Sequence, residues 1–347
     1  MPEHPHDAPT AHTPDGPDPS ARRALLYLSF GGPEKKEDVV PFLENVTRGR
    51  DIPRERLVEV GEHYFTLGGR SPINDLNRQI IGTVESTLAE AGADVPVYFG
   101  NRNWHPFVED TVAQMARDGI TEALVFATSA WGGYSGDRQY AEDITRATAA
   151  TRDAGLTPPT LTKIRPFHDH PRFAPIFARG VDDALASLPE DVRADADLIF
   201  TAHSIPLSAD EESAPDDPSQ RYSGQILTTA REVRALTSFA DDGAADVDLV
   251  WQSRSGPPHI PWLEPDICDH LERRVAEGNR NPVVLCPVGF VSDHVEVIWD
   301  LDTEAAQTAE RLGVTLVRSR TPGPTAEFAA MVVDLMRELW PDLPAPA

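Results

Sequence analysis

The chain has 347 residues, of which 40% are hydrophobic, and it carries a formal net charge of −25 at pH 7. That length is sufficient for a large packed core and favours two domains or one large domain. The acidity argues against binding to nucleic acid or to anionic lipid, and no apolar run approaches the roughly 20 residues that a membrane-spanning helix needs.

The N-terminal segment, residues 1–20, is rich in Pro, Asp and His. It is predicted to be a disordered tail because it cannot bury enough apolar surface to order itself. It lacks the charged-then-apolar pattern of a secretory signal, which predicts a cytoplasmic protein. The two cysteines, Cys268 and Cys286, are too few for a disulfide framework or for an iron–sulfur cluster held within one chain. Cys286 lies in an apolar run and is predicted to be a buried small hydrophobic residue.

Beyond this tail, short apolar runs alternate with longer stretches of helical periodicity. The predicted strands are Ala24–Phe30, Val95–Gly100, Glu122–Thr128, Asp197–Ala202, Val247–Gln252, Val283–Gly289 and Val314–Val317. The predicted helices are Ile73–Ala91, Phe107–Asp118, Asp137–Ala154, Arg172–Leu188, Glu264–Glu277 and Asp293–Leu312. Runs that are apolar on both faces suit parallel strands covered by helices, so the alternation predicts an α/β fold.

The predicted strands fall into two groups, three before about residue 165 and four after it. We therefore expect two similar doubly wound lobes with a cleft between them. The predicted boundaries are residues 21–168 for the first lobe and 169–325 for the second, with a C-terminal helix and short tail at residues 326–347. Ligands of open parallel sheets bind beyond the carboxyl ends of the strands, so we expect the chemistry there.

Two of the predicted strand ends carry residues suited to ligand binding. Gly31 and Gly32 follow the first strand, where they let the backbone approach a ligand or make a tight turn. His203 follows the fourth strand, and an imidazole accepts a proton near neutral pH or binds a metal. A lone histidine is more often structural than catalytic, so these positions alone leave both interpretations open.

An acidic series follows the sixth predicted strand. Glu296, Asp300 and Glu304 recur every four residues and would share one face of a helix. A solvated acidic face is the common interpretation of such a series, but the apolar residues interspersed with it indicate a packed helix. Carboxylates in a packed setting suit hard cations such as Fe2+ or Mg2+, or a proton relay.

Five segments taken together resemble the ferrochelatase family. In chain order they are Ser29–Pro33, Gly68–Ile73, Thr201–Pro206, Trp251–Ser253 with Trp262–Leu263, and Pro287–Asp302. They follow the family's order across nearly the whole folded chain, and residues 29–50 look like the family's actinobacterial branch. The resemblance implies the chelatase fold, in which two Rossmann-like lobes, each a parallel sheet flanked by helices, enclose a porphyrin cleft.

The resemblance also implies roles for four residues of the second lobe. By motif matching, His203 corresponds to the family's active-site histidine and Glu296 to its active-site glutamate, and both are implied to be catalytic and to contact the metal. Asp300 and Glu304 would continue from Glu296 as a secondary acidic ladder that lines an ion path. Which of His203 and Glu296 first meets iron is left open.

Porphyrin binding is implied for residues of the first lobe. Ser71 matches the family's serine that contacts a propionate, and Tyr140 matches a tyrosine that contacts the porphyrin, with Tyr134 as the rival alignment. The arginines that are candidate partners of the propionates are Arg48, Arg50 and Arg70.

One position departs from the pattern of some bacterial relatives, which carry an iron-ligating tyrosine near the end of the first strand. Phe30 occupies this position and cannot ligate metal, so iron is expected to rely on His203 or on water for an axial partner. No permanently bound cofactor is predicted, since Fe2+ is a substrate. The missing cysteines exclude the C-terminal iron–sulfur cluster that several relatives carry.

The resemblance implies a ferrochelatase, a metal chelatase of the lyase class. This enzyme would insert Fe2+ into coproporphyrin III to give Fe-coproporphyrin III (coprohaem) in haem biosynthesis. The alternatives are a protoporphyrin IX ferrochelatase, a cobalt or nickel chelatase for an earlier tetrapyrrole, or a non-catalytic haem or porphyrin carrier on the same fold. The expected partners are coproporphyrin III, Fe2+ and a haem-pathway enzyme that receives the product, and the family's expectation is a monomer without nucleic acid or stable membrane insertion.

Overall fold

A computed structural model describes residues 21–49, 53–240, 246–255 and 259–346. The predicted tail, residues 1–20, and the candidate Arg50 lie outside the described residues. The strands are β1 (Arg23–Ser29), β2 (Val97–Asn101), β3 (Glu122–Ala127), β4 (Thr160–Lys163), β5 (Asp197–His203), β6 (Asp248–Gln252), β7 (Val283–Cys286) and β8 (Leu316–Arg318). The first five helices are α1 (Val39–Val46), α2 (Arg54–Thr66), α3 (Ile73–Glu90), α4 (Val108–Arg117) and α5 (Gln139–Asp153). The remaining helices are α6 (Phe173–Ser187), α7 (Glu190–Arg193), α8 (Leu207–Ser213), α9 (Tyr222–Ala235), α10 (Ile267–Ala276), α11 (Val295–Val297), α12 (Ala306–Leu312) and α13 (Ala326–Leu339).

The strands form two parallel four-stranded sheets with the same strand order. The first sheet runs β2-β1-β3-β4 and the second runs β6-β5-β7-β8. Helices flank both sheets, so the predicted α/β class with two Rossmann-like lobes is confirmed. In the first sheet, the chain passes from β1 to β2 on one side and then crosses back to β3 on the other side of β1. The second sheet repeats this path with β5, β6 and β7. Each lobe therefore has a switch point at the carboxyl end of its first strand, where ligands of such sheets bind.

The structure adds one strand to the seven predicted. Thr160–Lys163 forms β4 at the edge of the first sheet, paired only with β3. Its four residues alternate between exposed and half-buried positions. So short and polar an edge strand has no continuous apolar run, which is why the pattern that predicted the buried strands did not detect it.

The loop after β7 brings the two lobes together. β7 ends at Cys286, earlier than the predicted Gly289. A Cβ atom built on Gly289 would lie 2.5 Å from the Cβ atom of Ala202 in β5, so only glycine allows this approach. From the first lobe, Trp131 Nε1 donates to the Gly289 carbonyl over 3.3 Å. The loop is thereby fixed between the end of β5 and the first lobe.

The predicted helix over residues 293–312 is not a regular α-helix. It begins with α11, continues as a π-helix over Ile298–Ala305 and ends as α12. A π-helix closes its hydrogen bonds over five residues rather than four and frequently occurs at functional sites. Glu296 therefore lies in the first α-turn, whereas Asp300 and Glu304 lie in the π-helical part, so the predicted helix is present but the acidic series runs along a π-helix.

The C-terminal helix α13 returns to the first lobe. It packs against α3 as well as against α6, and Arg23 at the start of β1 pairs with Asp342 just beyond it at 2.7 Å. Phe328 and Met331 of α13 are fully buried in a core that also contains residues of both sheets. Burying such a side chain contributes about 2 kcal/mol. The predicted boundaries at residues 168 and 325 stay predictions.

No helix in the part of the chain that the structure describes is both long and apolar enough to cross a membrane.

Candidate active site

The two switch points bring chemically active residues to the carboxyl ends of both sheets. In the first lobe, β1 ends at Ser29 and is followed by the Gly31–Gly32 turn. In the second lobe, β5 ends at His203 and its neighbour β6 ends at Gln252, which is paired in register with His203. The prediction of His203 at a strand end is therefore confirmed, and the strand itself includes the residue.

His203 and Glu296 form the centre of the site. Their Nε2 and Oε2 atoms lie 3.5 Å apart, and the two side chains are 36% and 50% exposed. The Nδ1 atom of His203 lies 2.5 Å from the Ser204 carbonyl oxygen, which only accepts hydrogen bonds. Nδ1 must therefore carry a proton, and Nε2 is the nitrogen left to exchange a proton or to meet a metal.

Each member of this pair shifts the pKa of the other. Burial lowers the pKa of His203, but the hydrogen bond and the negative charge of Glu296 outweigh it and raise the pKa above its usual value. Burial alone would raise the pKa of Glu296, whereas its bond to His203 lowers it to about 2. The pair therefore favours an ionised Glu296 carboxylate beside the protonated form of the His203 imidazole.

Asp300 lies beside this pair with a different environment. Burial raises its pKa to about 6, and the negative charges of Glu296 and Glu304 act in the same direction. Hydrogen bonds from Ser253 and Gln252 lower the pKa and partly offset this rise. A carboxyl group with a pKa near 6 exchanges protons readily at neutral pH.

Glu304 takes part in a contact between the two lobes. Its Oε1 atom accepts from Trp299 Nε1 at 2.9 Å. The Trp299 ring in turn stacks on His63 of α2, with centroids 4.2 Å apart and an angle of 9° between the rings. His63 also lowers the pKa of Glu296 through its charge. Sequence analysis did not identify His63, because no periodicity places α2 against the acidic helix, which consists of α11 and the π-helix Ile298–Ala305.

A second histidine, His294, directly precedes the acidic helix. Burial lowers its pKa, and the charge of Glu296 acts in the opposite direction. Its ring packs edge-on against Phe290 at 5.4 Å. This residue belongs to the segment Pro287–Asp302, yet sequence analysis gave it no role. Its only signal was its position two residues before Glu296.

The predicted porphyrin-binding residues lie on the first lobe. Ser71 is buried, and its Cβ atom would lie 2.7 Å from a Cβ atom built on Gly32, so the serine packs directly against the Gly31–Gly32 turn. Tyr140 is also buried, with its hydroxyl 3.4 Å from Thr128 Oγ1 and its ring under the Arg102 guanidinium at 4.2 Å. The structure thus brings together His203, Glu296 and Asp300, and holds Ser71 and Tyr140 in the first lobe, before α3 and in α5.

The predicted arginines differ in their surroundings, and one arginine was missed. Arg70 pairs with Asp75 and is half exposed. Arg48 is exposed and lines a cavity of about 520 Å³ together with Arg102. Arg102 follows β2 directly and donates through Nε to Asp143 at 2.6 Å. Its Nη2 atom is buried without a hydrogen-bond partner among the described residues.

Aromatic side chains line the end of β1. Phe30 is 38% exposed and packs edge-on against Phe42 at 6.2 Å. Phe42 in turn contacts Tyr64 and Trp104 with ring centroids about 6 Å away, at 6.0 and 6.2 Å. The exposed ring of Phe30 offers an apolar surface at the carboxyl edge of the first sheet.

Metal-ligating groups are sparse in the described residues. They contain no cluster of three or more His, Cys, Asp or Glu side chains placed to hold an ion. Cys286 is fully buried, as predicted, and burial raises its pKa to about 12. Burial likewise raises the pKa of Cys268 to about 11, so both thiols stay protonated at neutral pH.

The pair of His203 and Glu296 is expected to make the stability of the protein depend on pH. The lowered pKa of Glu296 contributes stability that is complete above the usual pKa of 4.5 and is lost as the pH falls towards 2. The raised pKa of His203 contributes stability that is complete below 6.5 and is lost as the pH rises through the pKa of the folded state. Both contributions to stability are therefore complete only between pH 4.5 and pH 6.5.

Urea unfolding of the wild type and of Glu296→Gln measures this dependence. We expect the difference in free energy of unfolding to peak at about pH 5.5 and to decline towards about pH 3 and pH 9. The peak should be about 1 kcal/mol or less, because solvent screens two side chains that are 36% and 50% exposed. A difference that is the same at every pH would contradict the ion pair.

Comparison with known proteins gives consistent results over almost the whole chain. A protein-family model described as Ferrochelatase matches residues 22–339. A Nocardia farcinica protein named coproporphyrin III ferrochelatase is 60% identical over 319 residues, which cover 92% of this chain and 88% of the relative. Relatives of the same name from Mycolicibacterium vanbaalenii and Corynebacterium glutamicum strain R are 56% and 54% identical. They cover 92% and 91% of this chain and are themselves covered to 91% and 83%.

Solved structures agree on the fold. The chain resembles SirB from Bacillus subtilis with Fe3+, with a TM-score of 0.53 and 11% identity, covering 93% of this chain and 99% of the other. It also resembles a multi-domain protein from Deinococcus radiodurans that is described as similar to chelatases, with a TM-score of 0.51 and 17% identity. That match covers 91% of this chain and 55% of the other. At such identities the likeness concerns the fold alone.

Proposed function

This chain belongs to the ferrochelatase family, and we propose that it inserts Fe2+ into coproporphyrin III to give Fe-coproporphyrin III (coprohaem) in haem biosynthesis. The observation that carries the proposal is the pairing of His203 with Glu296 at 3.5 Å, at the switch point of the second sheet. The choice of porphyrin is supported by relatives that are 52–60% identical and are all named coproporphyrin III ferrochelatase.

The chemistry explains why this pair is useful. Insertion exchanges the two pyrrole N–H protons of the porphyrin for one Fe2+ ion, which must also lose water. His203 Nε2 is the free nitrogen of its ring, so it accepts a pyrrole proton once its own second proton has left. The ionised Glu296 attracts the arriving cation, and the approach of that cation lowers the pKa of His203 and expels the proton.

Asp300 and Glu304 extend the proposal from the pair along the acidic helix. Asp300, with a pKa of about 6, is able to take up a proton released near Glu296 and to pass it on at neutral pH. Glu304 follows one helical turn further and accepts from Trp299. The ladder then serves as the path for protons leaving the site and for Fe2+ entering it.

The first lobe supplies the proposed porphyrin contacts. Ser71, packed against the glycine turn after β1, presents a hydroxyl for a propionate. Tyr140 lies buried beneath Arg102, so the proposed porphyrin contact there is the Arg102 guanidinium, a strong partner for carboxylates, with Tyr140 supporting it. Phe30 offers its exposed ring to the macrocycle and no metal-ligating atom. Iron in the product then takes His203 or water as its axial partner.

The protein is proposed to act as a monomer without a resident cofactor, with Fe2+ as a substrate. The proposed location is the cytoplasm. The product passes to a later enzyme of haem synthesis. Protoporphyrin IX as substrate, or a carrier without metalation, are the alternative functions that the following experiment separates.

Anaerobic metalation by the purified protein tests the function directly. Fe2+ is supplied with coproporphyrin III or with protoporphyrin IX, and absorbance follows the metallated product. We expect kcat/KM for coproporphyrin III to be at least about tenfold higher, because one additional charge-assisted contact is worth that much. A preference for protoporphyrin IX would overturn the proposal that coproporphyrin III is the substrate. Tight binding of either porphyrin without metalation would favour the alternative function, a porphyrin carrier.

A further inference from the structure

Ser253 has a backbone conformation that non-glycine residues rarely adopt. Its φ angle is 64°, and no other residue except glycine has a positive φ in the part of the chain that the structure describes. The left-handed region is unfavourable for a side chain with a Cβ atom, and residues held there cluster at functional sites. Glycine would adopt this turn freely, so the serine side chain requires an explanation.

The Ser253 side chain binds Asp300 of the π-helix. Its hydroxyl donates a hydrogen bond to Asp300 Oδ2. The amide of Gln252 donates to the same oxygen at 3.2 Å and lies 3.5 Å from the Ser253 hydroxyl. Both donors use Oδ2, and the other oxygen, Oδ1, takes no hydrogen bond from the described residues. One oxygen is thus held while the other is left for a proton or a cation.

Hydrogen bonds hold the end of the strand before Ser253. Gln252 is 1% exposed, its Oε1 atom accepts from Thr201 at 3.3 Å, and its carbonyl accepts from the Ser204 amide at 2.8 Å. These contacts fix the end of β6 beside His203. The left-handed turn comes at the next residue, and it is the conformation in which the Ser253 hydroxyl reaches the acidic helix.

We propose that Ser253 is a positioning residue for metalation, which orients the Asp300 carboxylate beside Glu296 so that Asp300 takes part in proton or ion transfer. The backbone strain at Ser253 is retained because a glycine would relieve it and lose the hydroxyl. This inference depends on the proposed function, since it assigns Ser253 a part in that reaction.

The test is Ser253→Gly in the full chain, assayed with Fe2+ and coproporphyrin III. Glycine tolerates the turn, so we expect an unchanged or higher melting temperature together with a kcat about tenfold lower and an unchanged KM for the porphyrin. Ser253→Asn should recover part of kcat, because asparagine tolerates positive φ and keeps a donor. Ser253→Gly combined with Asp300→Asn should be no slower than Asp300→Asn alone.

A matched control is Ser238→Gly. Ser238 is exposed and its hydroxyl also donates to an aspartate, Asp182, at 3.0 Å, but both lie outside the site. This variant should keep the wild-type kcat. Wild-type kcat in Ser253→Gly, or additive losses in the double variant, would overturn the positioning role. A wild-type protein that binds porphyrin without metalating it would instead refute the proposed function itself.

Discussion

Replacing Glu296 by Gln should lower kcat for metalation of coproporphyrin III by about a thousandfold, within the range attributed to general acid–base groups. The amide keeps the size of the side chain but removes the charge that attracts Fe2+ and raises the pKa of His203. Since the porphyrin contacts proposed for the first lobe are untouched, the Kd for coproporphyrin III should stay within about twofold of wild type.

Two measurements accompany this prediction. NMR titration should show the pKa of His203 falling in Glu296→Gln, because burial is then opposed only by the weaker effects of the Ser204 carbonyl and the charge of Asp300. Glu310→Gln is the matched control, since Glu310 is exposed on α12 of the same helical segment. It should leave kcat unchanged. Equal losses of porphyrin binding and metalation in Glu296→Gln would count against its assigned role and favour a carrier.

His203→Ala should lower kcat by a similar factor of about a thousand. The substitution removes the only imidazole that faces Glu296 at hydrogen-bonding distance among the described residues, and with it the proton acceptor at Nε2. Because the truncation leaves space for a small base, added imidazole should restore part of the activity. His259→Ala serves as the control, since His259 is exposed and does not contact the pair.

The double variant tests whether the two residues act as one unit. His203→Ala combined with Glu296→Gln should be about as slow as either single variant, because groups that act together show strongly non-additive losses. Losses that multiply would mean that the histidine and the glutamate serve separate steps. Retention of more than about a tenth of wild-type kcat in His203→Ala would contradict its role as proton acceptor.

The short-range patterns in the sequence were sufficient for the fold class and for the positions of His203 at a strand end and of Glu296 in a helix. Seven strands were recognised from their apolar runs, and β1 and β5 are buried on both faces, as in sheets covered by helices. His203 was found because it follows a buried strand directly. Glu296 and Asp300 were found because their spacing is visible along the chain, and the family's motifs joined these positions into one site.

The tertiary structure decided the features that depend on contacts between distant residues. His63 and Trp299, which stack on each other, are 236 positions apart in the chain (299 − 63). The two residues lie in different lobes. The packing of α13 against α3 likewise returns the chain's last helix to its first lobe. Helical periodicity shows which face of a helix is buried but not which partner buries it, so neither contact is visible in the sequence.

The sequence also did not reveal the backbone conformation at positions where it opposes the intrinsic preference of the residues. Nothing in the composition around Ser253 indicates a left-handed backbone, because serine usually avoids it. Likewise, the residues of the π-helix Ile298–Ala305 have the pattern of an ordinary helix. In both places the surrounding contacts override the intrinsic preference of the residue. The sequence by itself determined the two lobes and the positions of His203 and Glu296 along the chain. Tertiary contacts decided how the neighbouring carboxylates are held, because Asp300 is bound by Ser253 and Gln252 of β6 and its following turn. Glu304 is bound by Trp299, whose ring stacks on His63.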